Sequence, residues 1–250
     1  MMKVSSSNTW GMGKSRRLMK LNLLSKGTVI NKRHCRGATR GIMDTDTKTN
    51  KLLLWCGILS GLAYIAIDLL ASFLYPGYSL RGQAVSELFA IGAPTSRWVV
   101  PLFSLSSVLL FAFAVGVWRT AGARRLVRVL ALMFAGSAVV GLLIWNVFPM
   151  HMRGAERTFT DTMHLILATN PFVLLSLILA IAAFRGGLRI YSAVTVIIML
   201  VPAIAAFSYA PALGLNQPTP WLGATERLAQ YGYVAWQLVL AIVLLWRSNL

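Results

Sequence analysis

Six long apolar stretches alternate with shorter polar segments along this chain, and each is about as long as a membrane-spanning helix. Such a helix needs about 20 mostly apolar residues to cross about 30 Å of hydrocarbon. The qualifying stretches are Leu52–Tyr75, Trp98–Trp118, Val129–Met150, Thr162–Phe184, Ile190–Tyr209 and Leu228–Trp246. Tryptophan and tyrosine lie at most of their ends, as is typical of residues at a membrane–water interface. The pattern predicts an all-α polytopic membrane protein built as a bundle of six transmembrane helices.

Composition supports a membrane protein and excludes a soluble globule. Of 250 residues, 57% are apolar and 12% are charged, and the mean hydropathy is +0.67. Soluble domains carry about 25% charged residues. Cys35 and Cys56 are too few for a disulfide framework. Pro101, Pro171 and Pro202 lie inside predicted spans, which membrane helices tolerate when neighbouring helices satisfy the freed carbonyls.

The net charge of +17 is concentrated at the amino terminus. Residues 1–42 contain ten basic residues and no acidic one, and the other arginines flank predicted helix ends. This distribution favours contact with anionic lipid and argues against a nucleic-acid partner. We predict that residues 1–51 form a basic, disordered cytoplasmic tail, with Met43 as an alternative start of translation, and that 247–250 form a short second tail.

The distribution of lysine and arginine predicts the orientation of the bundle. If the amino terminus is inside, 19 basic residues lie on that side and five on the other. Cytoplasmic loops carry an excess of basic residues. Both termini are therefore predicted to be cytoplasmic, in a bacterial cell membrane.

The remaining ionisable residues cluster on the predicted outer side. A carboxylate facing lipid costs about 2.5–3.5 kcal/mol, so an intramembrane acid such as Asp68 is expected to point inward and to be paired. We predict a polar pocket that opens to the outer side. Its predicted residues are Asp68, Ser86, Glu87, His151, Asp161, His164 and Glu226.

Helical spacing predicts which of these side chains share a face. The first helix carries a stripe at i, i+4, i+7 and i+11 consisting of Gly57, Gly61, Tyr64 and Asp68. The sixth span carries a polar stripe with the same spacing, consisting of Glu226, Gln230, Tyr233 and Gln237. Asp161 lies three residues before His164 and is predicted either to orient its imidazole or to raise the pKa of that imidazole.

The loops between spans carry further predictions. The segment around residues 83–90 is amphipathic and predicts a short helix on the membrane surface, with Gln83, Ser86 and Glu87 turned towards the bundle. Two acid–arginine neighbours, Glu156–Arg157 and Glu226–Arg227, are predicted to be solvated loop pairs.

Several short motifs in these loops resemble a bacterial family known as domain of unknown function 998. They are Tyr75-Pro-Gly-Tyr-Ser, Gln83-Ala-Val-Ser-Glu-Leu, Gly92-Ala-Pro, Phe148-Pro-Met-His151 and the pair Asp161 and His164. The resemblance covers residues 52–246 and implies a six-helix integral membrane protein without implying an activity. The matching positions in the predicted pocket are Ser86, Glu87, His151 and His164.

Three hypotheses for function remain open at the level of sequence. The first is a binding or transport protein that receives a lipid headgroup or small solute, with Arg153 and Arg157 holding an anionic group. Its ligand-binding candidates are Asp68, Glu87, Arg153, Arg157, Glu226, Gln230 and Tyr233. The predicted inner half of the bundle has no ionisable side chains except arginines at the helix ends, which argues against transport. The third hypothesis is a scaffold whose polar network only fixes helix packing.

The second hypothesis is a membrane-embedded hydrolase. Its catalytic candidates are Ser86, His151, Asp161 and His164. A zinc ion is the one cofactor considered, with His151, His164 and Asp68 as ligands, although no His-Glu-x-x-His motif is present. The chain also lacks Gly-x-Ser-x-Gly, so Ser86 has no sequence motif of a nucleophile around it.

Overall fold

A computed structural model describes residues 47–247 of the chain. Its helices are α1 (Thr47–Leu74), α2 (Ser96–Thr120), α3 (Arg125–Asn146), α4 (Phe159–Ala168), α5 (Pro171–Ala183), α6 (Gly187–Phe207), α7 (Ala210–Gly214) and α8 (Leu222–Arg247). Six helical segments are long and apolar enough to cross a membrane, counting α4 and α5 together, which confirms the prediction of six spans. Residues 1–46 and 248–250, which hold most of the two predicted tails and Met43, lie outside the described part.

Aromatic and aliphatic side chains between the long helices form the core of the bundle. Helix α2 packs against α3, α3 against α5, α5 against α6, and α6 against α8. Phe134 of α3 stacks on Trp236 of α8 with ring centroids 5.9 Å apart, and both are fully buried. The outward faces are apolar and exposed, as at Phe73 and Ile197, which suits contact with lipid chains.

The fourth span is broken in its middle, which corrects the prediction of a continuous helix over Thr162–Phe184. Helix α4 ends at Ala168, and Asn170 has a left-handed backbone with φ of +30°. Pro171 then begins α5. Proline has no N–H to donate, and it disfavours helical geometry in the residue before it. The other five predicted spans exist as continuous helices, with ends that differ by a few residues.

One end of the bundle carries nearly all of the polar loops. We call it the loop-rich end; it consists of residues 75–95, 147–158 and 208–221. Two of its loops meet where the Ile91 amide donates to the Met150 carbonyl at 2.9 Å. The connections at the opposite end, 121–124 and 184–186, are short.

The predicted surface helix of the first loop is a short 3-10 helix, Val85–Phe89, and most of it is buried. Its Glu87 accepts a hydrogen bond from the Ala84 amide at 2.9 Å, which fixes the first turn. The segment contacts α2 and α8 and is packed into the end of the bundle instead of lying exposed. The prediction of its location was therefore wrong, because Leu88 and Phe89 bury their side chains in the end of the bundle.

Candidate functional site

A buried ion pair joins α1 to α8 at the loop-rich end. Nη2 of Arg227 lies 2.8 Å from Oδ1 of Asp68, and Nε of Arg227 lies 2.9 Å from Oδ2. Asp68 is fully buried and Arg227 is 6% exposed. Asp68 points inward and is paired, as expected from the cost of exposing a carboxylate to lipid. The prediction that Glu226 and Arg227 form a solvated loop pair was wrong, since Arg227 is an interior residue that binds Asp68.

The same guanidinium also holds the first loop in place. Nη1 of Arg227 donates to the carbonyls of Leu80 and Gln83 at 2.9 and 3.1 Å. Nη2 donates to the Tyr78 hydroxyl at 2.8 Å. Burial raises the pKa of Tyr78 well above its ordinary value, so this hydroxyl stays neutral and donates in turn to the Ala84 carbonyl at 2.7 Å. Arg227 is thus the centre of a hydrogen-bond network that holds the first loop, α1 and α8 together.

A second ion pair fastens two loops to each other. Nη2 of Arg153 lies 2.8 Å from Oε1 of Glu87, whose side chain is almost completely buried. Arg153 also donates to the Thr219 hydroxyl at 2.8 Å. Both residues were predicted to bind a ligand. In the structure their charges compensate each other.

The two histidines at this end have different partners. The Asp161 carboxylate accepts from the His151 backbone amide at 2.7 Å and lies 2.9 Å from Nδ1 of its ring. His164 is bonded through Nδ1 to the Phe148 carbonyl at 2.8 Å. The prediction that Asp161 orients His164 was wrong: it orients His151, because the second loop folds back over the start of α4.

These residues line a small cleft among the loops. Its volume is about 40 Å³, which is enough for one or two water molecules. The predicted residues that line it are His151, Arg153, Arg157, Asp161 and His164. His151, His164 and Asp161 therefore share one small cleft, as the hydrolase hypothesis required, although Asp68 is elsewhere.

A much larger cavity lies between the helices. Its volume is about 550 Å³, within the usual range of about 300–1,000 Å³ for small-molecule sites. Helices α1, α2, α3, α6 and α8, the broken fourth span and the 3-10 helix all contribute to its walls. The predicted site residues that line it are Ser86, His164, Glu226, Gln230 and Tyr233. The residues predicted to form one pocket are thus not brought together in one space, and two of them, Asp68 and Glu87, line neither the cleft nor the cavity.

We call the wall of this cavity that lies away from the loop-rich end the deep wall; it includes Ser60, Ser106, Tyr233 and Gln237. Most polar groups on the deep wall already have hydrogen-bond partners in the protein. Ser60 and Ser106 each donate to the other's carbonyl, at 2.9 and 3.0 Å. Gln237 donates to the Gly57 carbonyl at 2.9 Å, and the Tyr233 hydroxyl lies 3.2 Å from Oγ of Ser176. The cavity is also lined by apolar side chains, among them Leu110, Leu174 and Met199. The deep wall therefore offers an apolar surface to a ligand.

Polar groups that could accept a further hydrogen bond lie at two places along the cavity. Glu226 lines it at the loop-rich end, where Oε2 accepts from the Val85 amide at 2.9 Å and Oε1 from Gln230 at 3.1 Å. At the break in the fourth span, Asn170 donates to Ser137 at 3.0 Å. The other side-chain atom of Asn170, Oδ1, is buried without a hydrogen-bond partner within residues 47–247.

The zinc prediction stays untested. Between Thr47 and Arg247, no group of three or more histidine, cysteine, aspartate or glutamate side chains is arranged to hold a metal ion. The proposed ligands His151 and His164 line the cleft, whereas Asp68 is occupied by Arg227.

Comparison with known proteins gives a family for this arrangement. The family described as "Protein of unknown function (DUF998)" matches residues 58–243, which include α2 to α7 and most of α1 and α8. The chain belongs to the DUF998 family. No curated protein and no solved structure matched it. The match confirms the resemblance seen in the loop motifs, and it brings no activity, ligand or partner to this DUF998 protein.

Several residues of the site were not predicted from the sequence. Arg227 was placed in a loop because the apolar run that marks the sixth span begins only at Leu228. Asn170 was included in a continuous span, although Asn170-Pro171 in the middle of an apolar stretch is a signal for a helix break. The serines of the deep wall carried no recognisable spacing, since they come from three helices.

Proposed function

We propose that this DUF998 protein binds an amphiphilic molecule in the interhelical cavity. The polar part of the ligand lies near Glu226 at the loop-rich end, and its apolar part lies among α2, α3, α5 and α6. The observation that carries the proposal is the cavity of about 550 Å³, whose deep polar groups are bonded within the protein. A fully polar solute would find few free hydrogen-bonding groups there, whereas an alkyl chain needs none.

The rim of the cavity supports entry from the bilayer. Of its lining residues, Ala168, Thr169, Pro171 and Phe207 are exposed. The first three form the break between α4 and α5, and Phe207 lies at the end of α6. Irregular backbone at membrane depth is tolerated where it lines a cavity. We propose that an amphiphile enters sideways between the broken fourth span and α6.

The scaffold hypothesis is less well supported than binding, because a scaffold needs no cavity of this size between its helices. The hydrolase hypothesis keeps one supporting feature, the pairing of the Asp161 carboxylate with the His151 ring at 2.9 Å. That pair lies in the small loop cleft and lines no part of the large cavity. Hydrolysis therefore stays a prediction from the sequence.

Filling the cavity is expected to abolish binding of an amphiphile. Ala203 of α6 lines the cavity and is partly buried, whereas Ala193 of the same helix is exposed outside it. With the protein in an amphipol and n-decanol as the probe, we expect the melting temperature to rise with probe concentration, because a ligand that binds the folded state stabilises it. The rise is expected to persist in Ala193→Phe and to disappear in Ala203→Phe.

Two outcomes contradict the proposal. One is a melting temperature that does not respond to decanol in the unaltered protein. The other is an equal response in Ala203→Phe and Ala193→Phe, which indicates that the probe acts on the lipid-facing surface.

We also propose that the loop-rich end faces the outside of the cell and that both termini are cytoplasmic, because 19 of the basic residues would then lie inside and five outside. Green fluorescent protein fused after Arg247 is expected to fluoresce, whereas alkaline phosphatase fused there is expected to be inactive. Phosphatase inserted between Asn216 and Gln217, which are exposed in the third loop, is expected to be active. The reverse pattern of activity would contradict this orientation.

A further inference from the structure

Glu226 differs from the other buried or partly buried acids of the loop-rich end in its partners. Asp68 is paired with Arg227, Glu87 with Arg153, and Asp161 with the ring of His151. Glu226 has no ion pair with any lysine, arginine or histidine in the described chain. It is also the one of these four carboxylates that lines the large cavity.

The hydrogen bonds of Glu226 leave room for a further donor. One oxygen accepts from the Val85 amide and the other from Gln230, whose own oxygen accepts from the Tyr64 hydroxyl. An ionised carboxylate is acceptor-only and has about four lone-pair sites. Two protein donors therefore satisfy only part of its capacity.

In the part of the chain that the structure describes, no positive side chain faces Glu226 across the cavity. Among residues 47–247, the cavity lining includes no arginine or lysine, and its one histidine, His164, is bonded to the Phe148 carbonyl. The arginines that were expected to hold an anionic headgroup lie at the loop cleft instead, where Glu87 compensates Arg153. The charge of the cavity is thus complementary to a cation.

We infer that the amphiphile bound in this cavity carries a positively charged amine, whose N–H groups donate to Glu226. This inference rests on the proposed function, since it names the chemical class of the molecule that the cavity receives. The ammonium group takes the place that an arginine takes beside Asp68 and Glu87, and its alkyl part follows the apolar wall. Charge-assisted hydrogen bonds are stronger than neutral ones, which gives the cavity its selectivity.

Three probes with the same ten-carbon chain test the inference on the unaltered protein. They are decylammonium, decanol and decanoate, titrated at pH 7 into the protein in an amphipol while the melting temperature is followed. Decylammonium is expected to bind about tenfold more tightly than decanol, as one charge-assisted hydrogen bond allows. Decanoate is expected to bind more weakly than decanol.

Glu226→Gln tests which residue is responsible, and Glu156→Gln is its matched control. Glu156 is exposed in the second loop at the same end and does not line the cavity. In Glu226→Gln we expect the tenfold preference for decylammonium over decanol to disappear, so that the two probes bind with equal affinity. In Glu156→Gln the tenfold preference is expected to remain, which excludes a general effect of net charge.

The outcomes separate this inference from the proposal on which it rests. If decanol binds in the cavity and decylammonium binds no more tightly, the inference is overturned and the amphiphile site stands. If none of the three probes binds, the proposed function fails as well. The comparison of headgroups on the unaltered protein does not depend on the stability of any variant.

A lipid headgroup and a free amine would present the same ammonium chemistry. The decylammonium titration is therefore repeated in nanodiscs of phosphatidylglycerol with and without phosphatidylethanolamine. A weaker apparent affinity in the presence of phosphatidylethanolamine indicates that a lipid amine occupies the site. Equal affinities in the two kinds of nanodisc indicate that the site takes a free amphiphile and not a lipid amine. Both results require that decylammonium binds through Glu226.

Discussion

Replacing Arg227 by methionine is expected to lower the free energy of unfolding by about 3–5 kcal/mol, which is the usual cost of leaving one partner of a buried ion pair alone. Asp68 is fully buried, so its charge would have no water to solvate it. The carbonyls of Leu80 and Gln83 would also lose the hydrogen bonds that the guanidinium donates to them. We expect the loss in denaturant titrations of the purified protein in mixed micelles, with Arg97→Met, an exposed arginine at the same end, within about 0.5 kcal/mol of the unaltered protein.

The double variant Asp68→Leu with Arg227→Met separates the contribution of the ion pair to the free energy of unfolding from that of side-chain packing. Removing both charges takes away the unpaired carboxylate, so at least half of the loss is expected to return. The return is incomplete because the loop carbonyls stay without the guanidinium. If the losses of the two single variants simply add in the double variant, the pair is not coupled and this account of the site is wrong.

The fold could be predicted from the sequence because the bilayer imposes a simple rule. Each span must be long and apolar, so six stretches of suitable length indicated six helices, and the structure has them. The inward direction of Asp68 also followed from the cost of exposing charge to lipid. In contrast, the break at Asn170 depends on local backbone geometry, which a count of apolar residues does not detect.

The pairing of charges at the site could not be predicted in the same way. Sequence placed seven polar residues at one end, but which acid meets which base depends on how the loops fold back. Asp161 contacts His151 because the second loop returns over α4, and Arg153 reaches Glu87 across two loops. The role of Glu226, as the cavity-lining acid that has no ion pair within the described residues, emerges only after these partners have been assigned.

Gly223→Ala is expected to disturb the same end of the molecule by overpacking. A methyl group at this position would lie 2.5 Å from the Leu80 carbonyl oxygen and closer still to that of Gln83. Neither oxygen is the end of a flexible side chain, so the first loop itself must move. We expect a loss of about 1–3 kcal/mol in the free energy of unfolding, measured in the same titrations. Gly187→Ala is the matched control, since nothing lies within 4 Å of the added methyl group.

The position of Gly223 also makes a coupled effect on the ligand testable. The loop that would be displaced leads into Val85, whose amide donates to Glu226 at 2.9 Å, and into Ser86 on the cavity wall. Gly223→Ala is therefore expected to weaken decanol binding as well as stability, whereas Gly187→Ala changes neither. Because the two displaced carbonyls are the ones that Arg227 holds, the losses in Gly223→Ala and Arg227→Met should sum to more than the loss in the double variant. A double variant that loses the full sum would show that the glycine and the arginine act on separate parts of the loop.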